Sequence, residues 1–185
     1  MNKNIVLSVL SICTMLTLVG SGSYAYFSNS ATSTNNVFAS GTLDLKLANG
    51  SGSFSDSVTA SFGGPALSPG SCLPVAVVNL KNAGSVAANH IDITATNTSS
   101  AFAAFLKIKT LTLDGNDIVI ADSNSNGFRD LQDFAATEII NKAFSDFSVH
   151  SFSMEVCLDS SAGNAQQGQT NTLDMTFFLD QGPHS

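Results

Sequence analysis

The chain has 185 residues, 14 acidic and 7 basic, so its formal net charge at neutral pH is −7. Charged residues make up only 11% of the chain and the basic ones are the minority, which excludes the basic surface of a nucleic-acid-binding protein. Hydrophobic residues make up 43%, and a chain of this length can bury the core of one domain.

An export signal is predicted at the N-terminus. Lys3 precedes an apolar run at residues 5–19, and small residues follow at 20–25. A basic start, a short apolar run and a small-residue end are the three parts of a secretory signal peptide. The run is shorter than the about 20 residues that a membrane span needs. We therefore predict that residues 1–25 meet the membrane only during export and are removed by signal peptidase. An uncleaved anchor is the alternative.

A polar segment and a first strand follow the signal. Residues 26–36 begin with two aromatic side chains and are otherwise rich in Ser, Thr and Asn. In residues 37–47, Leu43, Leu45 and Leu47 alternate with polar residues, the period of two that is typical of a half-buried strand. We predict an extended segment at residues 26–36 and a single folded domain at residues 37–185.

The rest of the chain alternates short apolar runs with turns rich in Gly, Pro, Asn and Asp. These runs predict strands at residues 53–62, 72–80, 86–96, 107–113, 118–121, 147–158 and 172–179. The run at 72–80 is almost continuously apolar, so we expect it to be buried on both faces. Helices are predicted at residues 99–106 and 131–143. The spacing favours an all-β sandwich of about seven or eight strands with one or two short helices.

Cysteine usage predicts one disulfide bond. Cys13 leaves with the predicted signal, so Cys72 and Cys157 remain as an even pair in an oxidising compartment. Two free buried thiols are the alternative.

A calcium-binding loop is predicted at residues 122–133. Oxygen-bearing side chains occupy positions 1, 3, 5, 9 and 12 of the loop, glycine occupies position 6, and the carbonyl of position 7 adds a ligand, as in an EF-hand. The expected Ca²⁺ ligands are Asp122, Asn124, Asn126, Phe128, Asp130 and Asp133. The alternative is a solvated turn that caps the following helix, with Asp130 as its N-cap.

No catalytic residue is predicted. The chain has three histidines, His90, His150 and His184, and no HExxH motif, so the zinc-peptidase signature is missing. His90 and His150 are expected on the solvent faces of strands. Asn49 and Asn97 lie in N-x-S/T sequons and are candidate glycosylation positions in turns.

Two blocks of sequence resemble the TasA/camelysin family of secreted bacterial and archaeal surface proteins. One block is VFASGTLDLKL at residues 37–47, after YFSNSATSTNN, and the other is residues 67–94. The resemblance implies a jelly-roll-like sandwich whose subunits join into biofilm-matrix fibres or pili by donating a strand to the next copy. Some family members are described as metalloproteases.

The resemblance and the sequence together predict a secreted, non-enzymatic fibre subunit whose partners are copies of itself at the cell surface. Residues 26–36 would be the donated strand, because exposed sheet edges accept strands from other chains. The expected anchors of that strand are Tyr26, Phe27, Ala31 and Val37. A camelysin-like secreted metalloprotease and a monomeric surface-binding module are the alternatives.

Overall fold

The structure is a computed structural model, and it describes residues 2–20, 39–59 and 62–182. The chain forms two compact units, residues 1–39 and 40–185. The first contains helix α1, Lys3–Gly20. Within the described ranges, no helix is long and apolar enough to cross a membrane. The predicted cleavage position at Ala25 and the predicted donor segment, with all four of its anchors, lie outside the described residues.

The second unit contains the strands. In chain order its elements are β1 (Leu45–Asn49), β2 (Ala76–Asn82), β3 (His90–Asn97), α2 (Ser100–Ala103), β4 (Leu106–Leu113), β5 (Asn116–Asp117), α3 (Leu131–Ala136), β6 (Ile139–Ala143), β7 (Val149–Leu158), a 3₁₀ turn (Asn164–Gln166) and β8 (Leu173–Asp180). All strand pairs are antiparallel. One sheet has the order β1-β2-β7-β4-β5, and the other has the order β6-β3-β8.

The core lies between the two sheets, because alternate side chains of each strand point inward. Phe152 of β7 is fully buried and packs edge-on against Phe62, at 5.7 Å, and against Phe177 of β8, at 5.4 Å. Ile91 and Ile93 of β3 complete the opposite wall. The predicted all-β sandwich is therefore confirmed, while its jelly-roll connectivity stays a prediction.

The predicted helix at residues 131–143 is wrong in its second half. Helix α3 ends at Ala136, and Ile139–Ala143 instead forms strand β6 against β3. Two adjacent isoleucines favour a strand, because β-branched side chains lose χ1 freedom in a helix. Pairing with β3 then provides the backbone hydrogen bonds that a continued helix would have made.

Other predicted strands are shorter or differently placed. Residues 53–59 make only an isolated bridge, between Leu47 and Ser55, and residues 118–121 are not a strand. The first strand begins at Leu45, so the described residues 39–44 of the predicted strand are not part of it. The run at 72–80 is not buried on both faces: β2 starts at Ala76 and alternates between partly and fully buried side chains. Its sheet covers the core on one face only.

Candidate functional site

A groove opens beside strand β8. It encloses about 1220 Å³, and its floor includes core side chains of the five-stranded sheet, among them Val78 and Val156. Leu173, Met175 and Phe177 of β8 also line it. These β8 side chains are partly buried rather than buried, so the sandwich leaves apolar surface uncovered along this strand.

Strand β8 is also an edge of its sheet. It pairs with β3 from Leu173 to Asp180, and among the strands of the described chain it has no partner on its other side. An edge strand presents unpaired N–H and C=O groups that can pair with another chain. An apolar groove next to a free strand edge is the geometry that strand addition requires.

The structure brings the predicted calcium ligands into one compact loop. Asp122 accepts hydrogen bonds from the backbone N–H groups of Asn126 and Gly127, at 3.1 and 2.8 Å. Asp130 accepts the side-chain amides of Asn124 and Asn126, at 2.9 and 2.7 Å. In these contacts the amides present nitrogen, not oxygen, to the carboxylate.

Two of the predicted ligands cap helix α3. The Asp130 carboxylate accepts the Asp133 N–H at 2.9 Å, and the Asp133 carboxylate accepts the Asp130 N–H at 3.2 Å, which makes a capping box. Asp133 also accepts the N–H and hydroxyl of Ser123. The capping alternative is thus present, and calcium would have to displace some of these donors.

His150 lies on β7 between two carboxylates. Its Nδ1 is 2.6 Å from Asp114 Oδ2 and its Nε2 is 3.0 Å from Asp146 Oδ1. Partial burial lowers the pKa of His150, but the hydrogen bonds with the two aspartates outweigh it, so the pKa lies above its ordinary value. The two carboxylates therefore favour the protonated form of the ring.

His90 is not on a solvent face, contrary to the prediction. It begins β3 with only 7% of its surface exposed, and its Nε2 is buried without a hydrogen-bond partner. Asp92, two residues on, is 1% exposed. Asp180 of β8 lies opposite His90 in the register, and the ligand atoms of these three residues lie within 4.8 Å of one another. The His-x-Asp alternation on a strand was the signal in the sequence, because it puts both side chains on one face.

The structure joins Cys72 to Cys157 by a disulfide bond, the pairing expected from the sequence. The bond links the segment before β2 to strand β7. Both cysteines and Glu155 form a second group of close metal-ligand types, but the two sulfurs are already bonded to each other.

The two sequon asparagines differ in their surroundings. Asn49 is exposed at the end of β1, and its amide donates to the Thr59 carbonyl at 3.0 Å. Asn97 is partly buried at the end of β3, donates to the Leu131 carbonyl and accepts from Asn171. A glycan on Asn97 would have to replace contacts between three segments of the chain.

A comparison with family profiles identifies relatives. Residues 1–182 match the family described as camelysin metallo-endopeptidase. A search of curated proteins gives no match. The profile match includes both blocks of sequence that carry the resemblance, at residues 37–47 and 67–94, and extends over the later strands as well. The chain therefore belongs to the TasA/camelysin family.

Proposed function

We propose that this protein is a secreted structural subunit that polymerises into extracellular fibres by donating residues 26–36 as a strand to the next copy. The observation that carries the proposal is the groove beside the free edge of β8, with Leu173, Met175 and Phe177 along it. An added strand would pair with β8 through backbone hydrogen bonds and place alternate side chains in the groove.

The donated segment matches this acceptor in length and pattern. Eleven residues in strand conformation extend about 35 Å, which is enough to run along the eight residues of β8. Phe27, Ala31 and Val37 are separated by even numbers of residues, so in a strand they point to one face. The opposite face would carry Tyr26 at its start and otherwise Ser, Thr and Asn, so Tyr26 would not enter the groove with the other three anchors.

Donation from one copy to the next would produce an assembly outside the cell. The donor and acceptor are different surfaces of the molecule, and head-to-tail contacts of this kind extend into a filament unless a rotation closes them. An export signal at residues 1–25 would deliver the subunit, and its removal would free Tyr26 as the new N-terminus. The sparse charge of the chain, 11% of its residues, suits a surface packed against copies of itself.

Deleting residues 26–34 tests the proposal. The secreted deletion variant should remain folded by circular dichroism and stay monomeric in size-exclusion chromatography, because the acceptor groove is intact but no donor remains. Electron microscopy should show no fibres, whereas the full-length secreted protein should form them. Adding a synthetic peptide of residues 26–37, which includes the anchor Val37, to the deletion variant should raise its melting temperature, because the peptide fills the groove.

A length-preserving pair of variants provides the control. Replacing Phe27, Ala31 and Val37 with serine should abolish fibres, while replacing Ser28, Ser30 and Thr32, on the opposite face of the strand, with alanine should leave them. Normal fibres from the deletion variant would contradict the proposal. A full-length protein that stays monomeric at high concentration would favour a surface-binding module instead.

A secreted metalloprotease is the second candidate, because the matching family is described as a metallo-endopeptidase. No HExxH motif occurs in the sequence, so a peptidase would need another metal set. Zinc analysis of the purified protein and hydrolysis of casein, with and without a chelator, distinguish this function from the fibre role. Chelator-sensitive hydrolysis by a homogeneous preparation would establish it.

We also propose that Ca²⁺ binds the loop at residues 122–133. Three carboxylates, Asp122, Asp130 and Asp133, lie in one loop, and the nearest basic residue in the sequence, Arg129, is paired with Asp117 at 3.0 Å. Their negative charge is therefore not balanced by an arginine within the loop. The Asn124 and Asn126 amides would have to turn their oxygens inward, and the loop would have to contract around the ion.

Calorimetry on the chelator-treated protein tests calcium binding. We expect a dissociation constant of about 10⁻⁵ to 10⁻³ M, as in extracellular modules. Asp122→Asn should weaken binding and leave the α3 capping box intact, because Asp122 is outside it. Asp56→Asn is the control, since Asp56 is exposed and lies in another segment. Absence of heat and of any melting shift in millimolar calcium would rule the site out.

A further inference from the structure

We infer that His90, Asp92 and Asp180 form a site for a divalent cation of the Zn²⁺ class. The three side chains come from two paired strands. His90 and Asp92 are two residues apart on β3, and Asp180 of β8 lies directly across from His90 in the antiparallel register. All three therefore point to the same face of the sheet, opposite the face that buries Ile91 and Ile93.

The unpartnered nitrogen of His90 is the observation that points to a ligand. Its Nε2 is buried and has no hydrogen-bond partner, although buried polar atoms in native proteins almost always have one. Burying such an atom without a partner costs about 1–3 kcal/mol. The neighbouring Asp92 carboxylate does not satisfy this nitrogen. Its Oδ2 lies 3.6 Å from His90 Nε2, which is too long for a hydrogen bond.

The same 3.6 Å separation fits two ligands of one metal ion. Zn²⁺ binds histidine nitrogen and carboxylate oxygen at about 2.0–2.2 Å, so two ligands at a tetrahedral angle lie about 3.4 Å apart. The ligand atoms of His90, Asp92 and Asp180 all lie within 4.8 Å of one another. Asp180 is exposed, and a small shift of its carboxylate would bring it to the ion as the third ligand.

The surroundings of Asp92 hold it in a ligating position. Its Oδ1 accepts the backbone N–H of Asn141 at 2.6 Å, which leaves Oδ2 directed toward His90. Hydrogen bonds of this kind orient metal-ligating carboxylates. Near Asp180, the backbone N–H of Asn89 donates to the Asp180 carbonyl at 2.8 Å, which fixes the end of β8 beside His90.

The chemistry of the donor set selects the ion. One imidazole and two carboxylates suit Zn²⁺ and similar divalent ions, because imidazole binds Ca²⁺ and Mg²⁺ poorly. With neutral imidazole the two carboxylates balance the charge of the ion. Of the two close groups of metal-ligand types in the described part of the chain, this is the one without a disulfide. The matching family is described as a metallo-endopeptidase, and these residues fit a metal.

The site is independent of fibre formation but lies on the same strand. An ion bound here would join β3 to β8 outside the backbone ladder and would stabilise the strand that we propose as the acceptor edge. Because Asp180 is exposed, the ion has a path from solvent and can keep water in its remaining positions. Failure of the zinc test therefore leaves the strand-donation proposal standing, and the reverse also holds.

Titration of the chelator-treated secreted protein with ZnCl₂ tests the inference. We expect one equivalent to bind and the melting temperature to rise. Asp180→Asn should weaken binding at least about tenfold. Asp174→Asn is the matched control, because Asp174 is an exposed aspartate on the same face of the same strand, across from Thr96. It should bind zinc as the unmodified protein does.

Two further readouts separate a metal site from a direct contact between His90 and Asp92. In long-range ¹H–¹⁵N spectra, zinc should shift the Nε2 resonance of His90 and leave that of His150 unchanged. His90→Gln, checked for folding by circular dichroism, should also lose binding. Absence of binding, or equal binding by the His90→Gln, Asp180→Asn and Asp174→Asn variants, would overturn the inference. Loss of binding in the Asp174→Asn variant would do so as well, since it would indicate diffuse acidic attraction.

Discussion

His150 shows how two carboxylates on either side of one imidazole favour its protonated form. Both of its ring nitrogens face carboxylates, and only the doubly protonated ring can donate to both. The ring also packs against Phe144, with centroids 4.1 Å apart. Lys142 and Asp117 line the small cavity beside it. The pKa of Asp146 is lowered to about 2, mainly by hydrogen bonds from Ser148 and also by the one from His150.

The raised pKa of His150 predicts a pH-dependent contribution to stability. A proton bound more tightly in the folded protein stabilises it at pH values below the unfolded pKa of about 6.5. The contribution is lost as the pH rises through the higher folded value. His150→Gln should therefore lower the free energy of unfolding at pH 5.5, and the difference from the unmodified protein should shrink by pH 9.

Urea unfolding at several pH values measures this difference. Asp114→Asn should produce the same trend with a smaller amplitude, because Asp146 remains as a partner. A constant difference between His150→Gln and the unmodified protein across the whole range would contradict a charged His150.

At the scale of elements, strand β6 shows where local pattern and tertiary pairing disagree. Leu131, Phe134, Ala135 and Ile139 are spaced as on one face of a helix, and α3 uses only the first three. At Asn141 the backbone has φ of +55°, in the left-handed region that a helix cannot continue through. Its N–H donates to Asp92 where the β3–β6 register shifts. A partner distant in sequence thus decides the conformation of this segment.

Strand β8 is the element on which the strand-donation proposal and the zinc-site inference depend. The sequence predicts this strand from its alternation of apolar and polar residues, because Leu173, Met175 and Phe177 are spaced by two. Whether an alternating strand is central or at an edge depends on its neighbours, which the alternation does not specify. In the structure β8 is an edge, its inner face lines the groove, and its outer face presents Asp180 beside His90.

At the scale of the whole molecule, the disulfide bond joins two segments of the domain that are distant in the sequence. Cys72 and Cys157 are 85 residues apart, and closing a loop of that length stabilises the folded state by about 4–5 kcal/mol in the chain-entropy model. The segment between the two cysteines contains strands β2 to β6 and most of β7. The bond therefore restricts the conformations of this long segment in the unfolded chain.

Replacing both Cys72 and Cys157 with serine should lower the melting temperature by roughly 5–15 °C, from a loss of about 2–5 kcal/mol. Differential scanning calorimetry on the secreted protein measures the change, and reduction of the unmodified protein should reproduce it. Ser160→Ala, at an exposed turn position of the same domain, is the control and should leave the transition unchanged. An equal melting temperature for the double variant would show that the bond adds no stability.

The sequence by itself determined the fold class, the family and the pairing of the cysteines. Each depends on local signals: periodicity of two, turn residues at even spacing, a motif, or an even cysteine count. These signals can be recognised in the sequence alone, because none of them requires knowing which strands pair with each other. Strand β4, predicted at residues 107–113 and found at Leu106–Leu113, followed for the same reason.

Only the tertiary structure decided which strands lie at edges, where the apolar surface is left open, and which polar side chains meet. His90 and Asp180 are separated by almost half the chain, and no local pattern specifies that their strands pair in a register that sets them opposite each other. Burial has the same origin, because the surface that neighbouring segments cover depends on packing of the whole sandwich. Sequence spacing therefore indicated strands, but the sites between strands exist only through long-range pairing.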